Sequence, residues 1–146
     1  IARGDREGTR LLAEQGVERI GKTVGAEEFR ILLGWASTEP ESLQDLDKAV
    51  EQRPHALTGY LVRGWRRQEA GDLTGAIADY GQALRLAPSS PELLLLRGRA
   101  RRLSGDLENA LADLRRCRPL APPAWIHQVE LEGQISALQA SAGAPK

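Results

Sequence analysis

The side chains of this 146-residue chain that could cut a bond, move a proton or hold a metal are few: two histidines, one cysteine, scattered serines and 20 carboxylates. His55 and His127 are far apart in sequence, and neither has a cysteine or second histidine at the short spacing of a metal site. Glu27/Glu28 and Asp45/Asp47 read as solvated helix surface. Ser37, Ser89, Ser90 and Ser104 lie at turns, outside the strand–turn–helix setting that exposes a nucleophilic serine. The glycines fall at helix junctions, and no phosphate-cradling loop ending in Gly-Lys-Ser/Thr occurs. The sequence therefore predicts no catalytic residue, metal or cofactor, and the chain is expected not to be an enzyme. The chemistry left is that of binding. Trp65 and the abundant arginines (17 Arg against 3 Lys) are the types that anchor interfaces, by burying large area or by gripping carboxylates.

Composition narrows the partner. Acidic and basic side chains number 20 each, so the net charge is zero, which argues against a general binder of nucleic acid or anionic membrane. The charge is uneven: residues 1–56 carry 8 basic and 11 acidic side chains, whereas 91–124 carry 7 arginines against 4 acids. With 4% aromatic residues, Leu and Ala must build most of the core. Cys117 is alone, so no intrachain disulfide forms, and a buried structural thiol is the preferred reading. No apolar run approaches the roughly 20 residues that span a bilayer, so membrane insertion is not expected. The chain begins with Ile and has no Met, so the native N-terminus is expected to have been removed or to lie outside it.

The elements that must position these side chains come from a repeat. Pro54, Pro88 and Pro122 are spaced 34 apart, as are Asp45, Asp79 and Asp113. Leu46, Tyr80 and Leu114 keep the same step, and so do Ala49, Ala83 and Cys117. Residues 57–90 and 91–124 align without gaps with 13 identities in 34, including the tripeptides Gly71-Asp72-Leu73 and Gly105-Asp106-Leu107. Each unit reads helix, turn, helix. Residues 57–70 and 91–104 carry apolar residues at helical spacing. Gly71 and Gly105 close those helices, and Asp72 and Asp106 cap the next. Ala76, Tyr80, Ala83 and Leu84 make a second stripe ended by Pro88; Ala110, Leu111, Leu114 and Cys117 repeat it, cut early by Pro119. Small residues at 64, 76, 98 and 110 let the paired helices approach closely.

This pattern resembles the tetratricopeptide repeat, through Tyr60, Gly64, Ala76, Tyr80 and Pro88 in one unit and Leu94, Gly98, Ala110, Leu114 and Pro122 in the next. Arginines replace two expected apolar residues: Arg63 and Arg97 at the usual Leu, Arg67 and Arg101 at the second aromatic. Arg63 and Arg97 each stand 16 residues before Asp79 or Asp113, which predicts an Arg–Asp pair joining the two helices of each unit. The resemblance implies an all-α solenoid of antiparallel helix pairs, a right-handed superhelix with a C-terminal capping helix. It implies one domain over 1–139, with a partial repeat in 1–22, a degenerate repeat in 23–56, repeats in 57–90 and 91–124, a cap in 125–139 and a disordered tail in 140–146. In the degenerate copy Phe29, Leu32 and Leu33 remain, Arg30 replaces the small residue, and Pro40 and Ser42 open the second helix. Leu11, Leu12, Val17 and Ile20 look like half of another repeat, as if the chain were cut from a longer array.

The same resemblance places groove-facing side chains at Thr58, Leu61, Trp65 and Gln68, and at Glu92, Leu95, Arg99 and Arg102. Peptide binding is assigned to Leu61, Trp65, Gln68, Leu95, Arg99 and Arg102, with Arg99 and Arg102 close enough along the helix to share a basic patch. Of the carboxylate clamp by which some family members hold chaperone tails, only Arg99 fits. An apolar or amphipathic segment carrying a carboxylate, presented by a protein or peptide partner, is the expected guest. The alternatives are self-association through exposed repeat ends and recognition of single-stranded RNA, the latter opposed by the zero net charge.

Overall fold

Glycine and aspartate set the helix ends where the repeat puts them. The computed structural model describes residues 43–143, and these are helical without strands: α1 (Leu43–Gln52), α2 (Leu57–Glu69), α3 (Leu73–Leu86), α4 (Pro91–Ser104), α5 (Leu107–Cys117), a 3₁₀ turn (Arg118–Leu120) and α6 (Gln128–Gly143). The readings for 1–22, for the first helix of 23–56, for Pro40 and Ser42, and for 144–146 lie outside the described residues. Gly71 (φ 85°) and Gly105 (φ 87°) take the left-handed conformation that turns the chain out of α2 and α4. Asp72 then caps α3 by accepting from the Gly75 amide at 2.9 Å. Asp106 accepts at α5 from the Asn109 amide at 3.4 Å and from the Asn109 side-chain amide at 2.9 Å. Ser90 accepts from the Leu93 amide at 3.2 Å and is the cap of α4. Pro119 lacks an N–H, and α5 tightens into the 3₁₀ turn just before it.

The last helix differs from expectation at both ends. It starts at Gln128, because Ala124 adopts φ 58° and bends the chain before Trp125 can enter a helix. It continues through Ala140, Ser141 and Ala142 to Gly143, where a disordered tail was expected. Alanine is the strongest helix former, and the Ser141 hydroxyl donates back to the Ala137 carbonyl at 3.0 Å.

Helices adjacent in sequence pack on one another: α2 on α3, α4 on α5, α3 on α4 between the pairs, with α1 against α2 and α6 against α5. The core repeats at the 34-residue step. Ala76 and Ala110, Tyr80 and Leu114, and Ala83 and Cys117 are all wholly buried. Leu93, Leu94, Leu95 and Leu96 join the same core, each buried leucine contributing roughly 1.5–3 kcal/mol. The Tyr80 hydroxyl donates to Gln68 Oε1 at 3.1 Å, and burial raises the phenol's pKa. Cys117 donates to the Pro91 carbonyl at 3.2 Å, and burial pushes its thiol up to about 12, so it is a structural and unreactive group.

The Arg–Asp pairs form in both units and are larger than pairs. Arg63 grips Asp79 in a fork, Nε to Oδ2 at 3.0 Å and Nη2 to Oδ1 at 2.7 Å. Arg97 grips Asp113 the same way, at 2.8 and 2.7 Å. Arg67 and Arg101, one helical turn further on, reach the same carboxylates at 2.9 and 2.7 Å. Each aspartate is thus held by two arginines of the preceding helix. Asp79 holds the Arg63 guanidinium above its ordinary pKa, keeping it charged.

One link distinguishes the units. Arg63 Nη1 also donates to Asp47 of α1 at 2.8 Å, tying one helix pair to the element before it. The 34-residue equivalent of Asp47 is Gly81, where a built Cβ would lie 3.7 Å from Arg97 Nη1. Gly81→Asp is therefore expected to recreate the link. Higher helix propensity and one half-exposed ion pair should together stabilise the fold by about 0.5–1 kcal/mol in urea denaturation. Measured against Arg97→Met alone, which has already lost the Asp113 fork, the same Gly81 change should keep only the propensity share of that gain.

Candidate binding surface

The side chains assigned to a groove lie on α2 and α4, and most of them are covered. Leu61 is 2% exposed and Leu95 wholly buried, so both belong to the core. Trp65 is 9% exposed, its indole N–H has no acceptor among the described residues, and the Arg66 guanidinium stacks 4.9 Å from its ring centroid. Gln68 is buried and spends its carbonyl on Tyr80. Thr58 is half-buried. Glu92 is buried and accepts from the Ser90 hydroxyl at 3.1 Å. A guest reaches none of the buried members without displacing what covers them.

Arg99 is engaged inside the chain. Its Nε and Nη2 both bond Glu130 on α6, which also accepts from Gln134 Nε2 at 2.6 Å. His127 packs edge-on against Trp125, ring centroids 5.0 Å apart, with Nδ1 3.7 Å from Glu130. Burial lowers the pKa of His127, countering the pull of Glu130, so the neutral ring is favoured. Arg102 alone of the assigned residues is exposed, and it carries no ion pair among the described residues. Arg99 and Arg102 therefore do not act as equals: one charge is matched by Glu130 and the other faces water.

Two large apolar side chains outside the assigned set stand in the open. Ile126 is 60% and Val129 85% exposed. One 34-residue step carries Glu92, Leu95, Arg99 and Arg102 onto Ile126, Val129, Gly133 and Ser136. The signal that finds these residues is thus the repeat itself, extended by one unit. Gly133 and Ser136 are exposed too, and a Cβ built on Gly133 meets nothing within 4 Å. The buried face of the last helix is made by Leu131, Ile135 and Leu138.

Among the described residues no group of three His, Cys, Asp or Glu could hold a metal ion, and no helix is long and apolar enough to cross a membrane. No family model and no curated protein matches the chain.

Proposed function

We propose that the chain is a non-enzymatic interaction scaffold of the tetratricopeptide type, a right-handed stack of antiparallel helix pairs whose inner wall holds a segment of a partner protein. The observation that carries this reading is the exposure of Ile126 and Val129, 60% and 85%, at the positions one repeat beyond Glu92 and Leu95. Isolated surface leucines and valines are ordinary, but two apolar side chains three residues apart, on the register that the resemblance assigns to binding, are a place for a guest. Arg102, exposed on α4, supplies a cation, and Gly133 leaves room for a main chain to come close. Arg99 holding Glu130 is an intramolecular instance of a carboxylate seated on this wall. The guest is an apolar or amphipathic segment carrying a carboxylate. Trp65, Leu61, Gln68 and Leu95 back the wall and keep its shape.

Selection of random peptides on the wild-type chain tests this. Enriched peptides should pair aliphatic residues with an acid. Val129→Glu and Arg102→Glu should each weaken their binding by about tenfold or more, the loss of one interface anchor. Both sites are exposed, so circular dichroism melts should be unchanged. Enriched peptides that bind both variants as tightly as wild type would place the site elsewhere.

A further inference from the structure

A second surface lies away from that wall, in a groove of about 500 Å³ between α5 and α6. Leu107, 42% exposed, and the half-buried Leu111 give it an apolar side, and the buried Leu138 closes the other. Ser141 and Ala142 keep the α6 rim low enough for a helix to approach. At the two ends of the α5 stripe stand Glu108 and Arg115, both exposed and without an ion pair among the described residues.

We infer that the occupant of this groove is a second copy of the same chain, docked with its α5 antiparallel to the first. The argument is charge complementarity under a twofold axis. Glu108, Leu111, Ala112 and Arg115 are spaced three, one and three residues apart, so they form one stripe on α5. A dyad passing between Leu111 and Ala112 brings Glu108 of each copy opposite Arg115 of the other. The apolar pair meets its like at the centre. An isologous interface must be complementary to itself, and this stripe has the acid, the apolar centre and the base in the order that condition demands. The antiparallel arrangement also sets the two α5 dipoles head to tail.

Sedimentation velocity over a wide range of chain concentration tests the inference. Wild type should show a concentration-dependent monomer–dimer equilibrium that weakens with added salt. Glu108→Arg and Arg115→Glu should each raise the dissociation constant about tenfold, because symmetry makes one substitution turn two attractions into two repulsions. The variant carrying both changes should dimerise as wild type does, its charges exchanged but complementary. A chain that stays monomeric at every concentration, as it would if the groove served a different protein, overturns the inference. So does a dimer indifferent to both single changes, or a double variant that does not recover. Peptide binding on the inner wall is read separately and is left intact by all three variants.

Discussion

Asp113→Ala is expected to destabilise the fold by about 3 kcal/mol, more than any other single truncation of a charged residue. Asp113 is 2% exposed at its side chain and is the shared partner of Arg97 and Arg101, themselves 15% and 20% exposed. Removing it leaves two half-buried cations facing each other without an anion. The cost stays at the lower end of the range for broken buried ion pairs, because both arginines can swing partly into water. Asp79→Ala should cost about 1 kcal/mol less, because Arg63 keeps Asp47 at 2.8 Å when Asp79 is gone. Urea denaturation of the two variants measures both the loss and the difference. Replacing Asp113 together with Arg97 and Arg101 by Leu and Met should recover most of the loss, since the charges, and not the volume, carry it. Equal losses at Asp79 and Asp113 would remove Asp47 from the account, and losses below about 1 kcal/mol would remove the clusters.

These clusters were half legible. The 16-residue spacing from Arg63 to Asp79 and from Arg97 to Asp113 pointed to a bond between the helices of one unit, and both bonds form. Arg67 and Arg101 read only as departures from an aromatic position. Yet four residues is one helical turn, which stacks each of them over its neighbour and onto the same carboxylate. The exposure of Val129 has a similar geometric reason. It lies two residues before Leu131, about 200° round the helix, so it faces away from the stripe made by Leu131, Ile135 and Leu138. Leu61 and Leu95 expose the harder limit. A repeat register tells which way a side chain points, but what comes to cover it depends on contacts between elements, and those leave no periodic trace.

Gly64→Ala should destabilise by about 1–2 kcal/mol, although alanine is the better helix former by about 1 kcal/mol. A Cβ on Gly64 would sit 2.9 Å from Tyr80 Cε1, closer than carbon atoms tolerate, and 3.1 Å from Asp79 Cβ, a contact that needs the neighbour to give. The Tyr80 ring cannot yield, being wholly buried and tethered through its hydroxyl to Gln68 at 3.1 Å. Separating α2 from α3 would also stretch the fork from Arg63 to Asp79, so the steric cost and the electrostatic one add. Gly98→Ala meets Leu114 Cδ2 at 2.8 Å, but a leucine can turn where a tethered ring cannot, and its loss should be the smaller. Gly133→Ala calibrates both: with nothing within 4 Å it keeps the propensity gain alone and should stabilise by about 0.5–1 kcal/mol. The interval between Gly133→Ala and Gly64→Ala in one denaturation series then reads the close approach of the paired helices directly. If the two substitutions shift stability alike, the helices of a unit do not need glycine at their crossing, and the shared spacing of Gly64 and Gly98 has no steric meaning.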